Sequence, residues 1–198
     1  MNGSKKDFKF DKRASDYDEE FEGKLSEKFY RLVLDNVILT ENCRVLDAGC
    51  GTGTILKRLN EKCSIDGFGI DVEDNMLTEA RKKCPQMDIR LCPCDDTPFA
   101  DSSFDVIIAC MAFHHFPDKN GFAKEAARIL RDGGKLYIAD PKFPLPVRKA
   151  VNTALSIHGI VGEFGTREEI ADVFSPYGFE QTSFASEAYA QIVVLTKK

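Results

Sequence analysis

Val45-Leu46-Asp47-Ala48-Gly49-Cys50-Gly51-Thr52-Gly53 runs an apolar strand straight into three glycines at alternate positions, and a helical pattern follows. Glycine there tolerates φ > 0 and lets a ligand reach the backbone without meeting a Cβ. The amino terminus of the next helix presents N–H groups to an anionic or carboxylate-bearing ligand. A tight strand-to-helix turn with no ligand would use the same residues, so the loop needs support from elsewhere in the chain. Its spacing separates ligand classes. A dinucleotide fingerprint reads G-x-G-x-x-G, whereas here Gly49 and Gly51 are followed by Gly53, and position 54 is Thr54. Asp47, two places before the first glycine, would repel a pyrophosphate and attract an amino group. The loop suits a cationic ligand with a nucleoside at one end better than a nicotinamide dinucleotide.

Working outward, short apolar runs alternate with helical patterns. Strands are expected at 44–48, 67–71, 88–92, 106–110 and 135–139. Helical windows at 52–60, 75–84 and 122–130 lie between them, with apolar residues three and four apart, and another covers 25–36. Strand–helix–strand repetition of this kind implies parallel pairing with right-handed crossovers. Asp132-Gly133-Gly134 reads as the turn after the last of these helices. Thr166-Arg167-Glu168-Glu169 reads as a capping box opening a short helix that stops near Pro176-Tyr177-Gly178. Two strands, 179–185 and 189–196, follow across a short turn and must be antiparallel. The expected fold is α/β, a doubly wound, Rossmann-like sheet of seven mostly parallel strands ending in an antiparallel hairpin. Within it, Gly67-Phe68-Gly69-Ile70-Asp71 ends a strand in a carboxylate one β–α unit after the glycine loop. At that position Asp71 can accept hydrogen bonds from both hydroxyls of a ribose; it can equally cap a helix.

With 198 residues, 43% of them hydrophobic and 30% charged, the chain is expected to be one domain. The net charge of -5 and the scattered lysines argue against a nucleic-acid partner. No stretch approaches the ~18–20 apolar residues that span a bilayer, and the charged start MNGSKKDFKFDKR is unlike a secretory signal. No membrane association and a cytoplasmic location are expected. Seven cysteines without paired C-x-x-C spacing read as free thiols, and no metal site is expected.

Residues 45–53, 69–71, Thr97-Pro98-Phe99 to Asp105, and 108–116 resemble the ordered motifs of the class I S-adenosylmethionine-dependent methyltransferases. The nearest subgroup is the small-molecule one that includes the ubiquinone/menaquinone type. The likeness extends from about Phe10 to Thr196, and Phe10-Asp11-Lys12-Arg13-Ala14 with Tyr17-Asp18 is similar to that subgroup's amino-terminal cap.

The resemblance implies roles for individual residues. S-adenosylmethionine would be the cofactor, with S-adenosylhomocysteine the product. Asp47 would face the cofactor's amino group, and Gly49, Cys50, Gly51 and Gly53 would form the loop around its methionine part. Asp71 would take the ribose, with Val72 and Met76 beside the adenine and Cys94 and Asp95 at its edge. Ala109 and Cys110 would lie by the sulfonium, and Tyr17 would close over the site. The family's usual Gly-Asp-Ala is replaced here by Cys92-Pro93-Cys94, so Asp95 stands in for its aspartate.

Methyl transfer from a sulfonium needs alignment above all, and well-oriented groups reach effective molarities on the order of 10⁵ M or more. A base is needed when the acceptor must lose a proton. His114 and His115 follow the fourth strand and are the candidates, as imidazole changes charge near neutrality; a positioning role is the alternative. The segment 142–165, with an apolar helical stripe through Val147, Val151 and Leu155, is expected to be a substrate lid. The chain then divides into a cap arm and helix (1–36), a cofactor-binding core (43–141), the lid (142–165), and a final helix with the hairpin (166–198). The expected function is methyl transfer to a small molecule of unspecified identity. A non-catalytic module that holds the same cofactor would carry the same loop, and a nicotinamide-dependent oxidoreductase would need the other glycine spacing.

Overall fold

The computed structural model describes residues 21–158 and 162–198, with side chains from Ser26 onward. The expected arm with Tyr17 lies outside these residues. The elements in chain order are α1 (Phe21–Asn36), β1 (Arg44–Ala48), α2 (Thr54–Lys62), β2 (Asp66–Asp71), α3 (Asp74–Lys83), β3 (Asp88–Leu91) and β4 (Phe104–Cys110). They continue as α4 (Lys119–Ile129), β5 (Leu130–Pro141), α5 (Leu145–Ile157), α6 (Arg167–Phe174), β6 (Phe179–Glu187) and β7 (Ala190–Lys197). The strand order is β3-β2-β1-β4-β5-β7-β6. β1 to β5 pair in parallel, and β7 runs antiparallel to both β5 and β6. The order reverses between β1 and β4, the switch point where ligands bind in open α/β sheets.

Burial on both faces explains why the strands read as near-continuous apolar runs. Side chains alternate between faces with a period of two. Val106, Ile108 and Cys110 of β4 pack with Phe29 of α1, Leu56 of α2 and Leu77 of α3. Ile107 and Ala109 point the other way, into a cluster with Phe122 of α4 and Phe174 of α6. The same alternation sends Leu46 and Ala48 to the α4–α6 side and leaves Asp47 on the face of α1 to α3.

Element boundaries differ from expectation for local reasons. α2 begins at Thr54 because Gly53, at φ 76°, is left-handed and stands outside the helix. α4 begins at Lys119 because Asp118 caps it, its Oδ1 accepting the Gly121 N–H at 2.8 Å; the apolar spacing starts only at Phe122. The Asp132-Gly133-Gly134 turn lies inside β5 as a bulge, since Phe104 pairs with Leu130 and Val106 with Lys135. The capping box of α6 is present: Thr166 Oγ1 accepts the Glu169 N–H at 3.2 Å, and Glu169 Oε2 accepts the Thr166 N–H at 2.9 Å. In α5 the apolar stripe stays outside the core, with Val147 47% exposed and Val151 and Leu155 half-buried; the buried side chain is Arg148, bound by both terminal guanidinium nitrogens to Glu169. No described helix is long and apolar enough to cross a membrane.

Candidate cofactor and active site

A cavity of about 460 Å³ opens at the carboxyl ends of β1, β2 and β4, within the usual range for small-molecule sites. Asp47, Gly49, Cys50, Gly51, Asp71, Val72, Met76, Cys94, Asp95, Cys110 and His115 all line it. Three other expected residues do not. Ala109 faces the opposite side of the sheet from Cys110, as strand alternation demands. A Cβ on Gly53 would lie 3.1 Å from Ala80 Cβ, so this glycine lets α2 approach α3 and does not meet a ligand. His114 is turned into the protein toward Asp140.

The glycine loop is held from β2. The N–H groups of Gly49 and Cys50 both donate to the Ile70 carbonyl, at 2.8 and 2.9 Å. Gly51 N–H donates to Asp71 Oδ2 at 2.8 Å, while Asp71 Oδ1 accepts from Val72 and Glu73 N–H at 2.7 and 3.0 Å. Burial raises the Asp71 pKa, and these three N–H groups work against the rise. Gly51 has φ 51° and no atom within 4 Å of where its Cβ would stand, so its outer face is open space. A side chain there would be strained and would fill the cavity. Gly49 serves contact instead: its Cβ would come 2.6 Å from Ala112 Cβ.

Asp47 dominates the electrostatics. It is 1% exposed, and neither carboxylate oxygen has a hydrogen-bond partner among the described residues. Burial, and then the nearby Asp71 charge, push its pKa well above the usual carboxylate range. A buried carboxylate without a partner is costly, and a ligand ammonium would offset that cost. The neighbouring thiols do not supply charge: burial, with Asp47 beside them, pushes Cys50 and Cys110 far up and keeps both neutral. Asp71, Glu73 and Asp95 also line the cavity, and no Lys or Arg does among the described residues. Such a wall would repel a pyrophosphate and is suited to an amino group and ribose hydroxyls. The residues present therefore fit S-adenosylmethionine, with Asp47 to hold the amino end and the open face of Gly51 beside it.

One wall of the cavity is apolar, formed by Cys110, Met111, Ala112, Phe116 and Pro117 with His115 among them. Met111 sits at φ 57°, with its N–H bonded to the Ala139 carbonyl at 2.8 Å. Left-handed backbone at a non-glycine residue is strained, and such strain collects at functional sites. Behind this wall, His114 Nδ1 and Asp140 Oδ1 are 2.9 Å apart, both nearly fully buried. The His114 ring stacks on Phe164 at 4.7 Å, and the His114 carbonyl accepts the Glu163 N–H at 2.8 Å. The segment expected to be a lid thus touches the site through His114. None of its described residues lines the main cavity; Lys142, Phe143, Pro144 and Gly165 line a second, shallower one.

The cavity also includes residues that the sequence reading missed. Ser26 and Tyr30 come from α1, distant in sequence, and Met111 is brought in by its backbone conformation. Thr52 belongs to the glycine loop itself, between Gly51 and Gly53. Of the thiols at the cavity, Cys94 is pushed up to about 12 by burial and by Asp95, and Cys92 is raised too. Neither is a thiolate at neutral pH. No group of three or more metal-ligating side chains occurs among the described residues.

Residues 46–138 match the family model described as a methyltransferase domain. Methyltransferase GfsG of Streptomyces halstedii is 37% identical over 103 residues, covering 49% of this chain and 37% of that protein. The demethylmenaquinone methyltransferase of Chlorobaculum parvum is 35% identical over 107 residues, covering 54% of this chain and 44% of the relative. The chain thus spans less than half the length of these two curated relatives. Among solved structures, a Haloferax volcanii methyltransferase in complex with the Trm112 methyltransferase activator superposes with a TM-score of 0.83. It is 22% identical, covering 95% of this chain and 97% of that one. The matched domain carries the glycine loop, and with the sheet order around it makes this chain similar to the class I S-adenosylmethionine-dependent methyltransferases over just under half of its length.

Proposed function

We propose that this chain transfers a methyl group from S-adenosylmethionine to a small-molecule acceptor. The observation that carries the reading is Asp47, a buried carboxylate without a partner among the described residues, at the wall of a cavity built on the glycine loop. Bound there, S-adenosylmethionine supplies a methyl group on a positively charged sulfur, already activated for displacement. Asp47 holds the amino group, and Asp71 keeps acceptor capacity for ribose beyond its bonds to the loop. Val72 and Met76 flank the base, with Cys94 and Asp95 at its edge. Cys110, Met111 and Phe116 exclude water and align the acceptor, which is where most of the rate for such a displacement arises. His115, the histidine on the cavity wall, takes the acceptor's proton on an imidazole nitrogen when one must be lost. His114 and Asp140 hold the turn that presents it. Glu163 and Phe164 pack against His114, which would let this stretch respond to the acceptor side.

The experiment is incubation with methyl-labelled S-adenosylmethionine and a panel of phenols, enols, amines and thiols, following S-adenosylhomocysteine release. Release that depends on an acceptor, with label on that acceptor, supports the reading. Firm binding of S-adenosylhomocysteine with no acceptor-dependent release contradicts catalysis and favours a holding module. A second reading concerns a partner. The archaeal structure that covers nearly this whole chain is a complex with an activator protein, and this chain would then need such a protein for full turnover. Co-purification with an activator of that type, and a gain in turnover on adding it, test this.

A further inference from the structure

Asp47 can receive only the cationic half of an amino acid. Resting on the S-adenosylmethionine reading, the carboxylate beside that ammonium needs a donor, in a cavity whose charged lining is acidic: Asp47, Asp71, Glu73 and Asp95. Thr52 lines the cavity from the same loop as Asp47 and is 4% exposed. Its hydroxyl is not electrically neutral ground. Lys83, in the last turn of α3, donates from Nζ to Thr52 Oγ1 at 3.1 Å and to Thr54 Oγ1 at 2.7 Å, and the two hydroxyl oxygens are 3.2 Å apart. A hydroxyl that accepts from an ammonium is polarised into a stronger donor. The positive end of the α2 dipole begins at the same point.

We infer that Lys83, acting through the Thr52 hydroxyl, is a positioning residue for the carboxylate of the bound ligand and makes the site select amino-acid-bearing nucleosides over plain ones. Asp47 and the Lys83–Thr52 pair then read the two halves of one zwitterion. The positive charge stays one side chain behind the wall. It favours a carboxylate at Thr52 without placing an ammonium where it would neutralise Asp47.

Calorimetry with three probes tests this on wild type, Lys83→Met, Lys83→Arg and Thr52→Val. The probes are S-adenosylhomocysteine, its decarboxylated analogue, which keeps the ammonium, and 5′-methylthioadenosine, which lacks both groups. Lys83→Met is expected to weaken S-adenosylhomocysteine about tenfold, with the other two probes within about twofold of wild type. Thr52→Val should reproduce that selective loss, and Lys83→Arg should retain most of the affinity. The two unaffected probes also report that each variant is folded. Parallel loss for all three probes would mean that Lys83 only braces the loop, and an unchanged S-adenosylhomocysteine affinity would remove it from recognition; either overturns the inference. If wild type binds none of the three, the cofactor reading itself fails.

Discussion

Asp71 Oδ2 accepts the Gly51 N–H at 2.8 Å, so the carboxylate proposed to hold the ribose also fixes the loop proposed to hold the methionine part. The other oxygen is bonded to Val72 and Glu73 N–H, which sets the turn into α3. Asp71→Ala should therefore weaken S-adenosylhomocysteine binding by about 1–3 kcal/mol through lost hydrogen bonds and also loosen the loop. Hydrogen exchange should show faster exchange at Gly51, Val72 and Glu73 in the unliganded variant. Unchanged affinity in a folded variant would remove Asp71 from the ribose site.

The ionisation of Asp47 gives binding and stability opposite responses to pH. Burial raises its pKa in the empty folded protein, so the folded chain keeps this proton to higher pH than the unfolded chain does. For this group, stability is full below the ordinary carboxylate pKa of about 4 and is lost as pH rises through the raised value. Ligand affinity runs the other way, because the ammonium needs the carboxylate ionised. It is full above the raised value and falls by at most about tenfold per pH unit as pH drops through it. Titrations of S-adenosylhomocysteine between about pH 5 and 8, in wild type and Asp47→Asn, check this. The variant should bind weakly, with the Asp47-linked pH dependence gone.

Two glycines of the loop should fail in different ways. Gly51→Ala places a methyl group in open cavity space at φ 51°, so its stability should fall by only about 1–2 kcal/mol while binding is largely lost. Gly49→Ala carries similar backbone strain, at φ 76°, and also drives a Cβ to 2.6 Å from Ala112, so it should destabilise the fold by about 1–3 kcal/mol more than Gly51→Ala does. Melting curves with and without S-adenosylhomocysteine separate the two; equal stability losses would contradict the geometry.

The adjacent histidines should also divide. His115→Gln is expected to leave S-adenosylhomocysteine binding near wild type and to lower turnover about 10²-fold or more for an acceptor that must lose a proton. Asp140→Ala leaves the buried His114 Nδ1 without its hydrogen-bond partner and should cost about 1–3 kcal/mol of stability. Turnover and denaturant unfolding of both variants check this division. Normal turnover in His115→Gln with such an acceptor would remove His115 from the chemistry.

What was legible in the sequence was local. The strand into Gly49, the spacing to Gly53 and the carboxylate at Asp71 are contiguous signals, and all three lead to one sheet edge. The phase of β4 was not legible, because a strand buried on both faces shows no alternation; Ala109 and Cys110 look alike in sequence and face opposite sides. Gly53 reads as part of a ligand loop until α3 is folded against it and Ala80 proves to be its neighbour. His114 and His115 are the same residue type in succession, and only the fold separates them, burying His114 against Asp140 and leaving His115 on the cavity wall. Tyr30 reaches the cavity from a helix whose apolar spacing announces core packing, and no local pattern marks it as a lining residue.

The function proposed for this chain requires the cavity to hold S-adenosylmethionine with its amino group at Asp47. Calorimetric titration of the purified chain with S-adenosylhomocysteine and with NADH tests that most directly. Saturable binding of S-adenosylhomocysteine, lost in Asp47→Asn, is expected, with none of NADH. Binding of NADH alone, or S-adenosylhomocysteine binding that Asp47→Asn leaves intact, would contradict the proposed function.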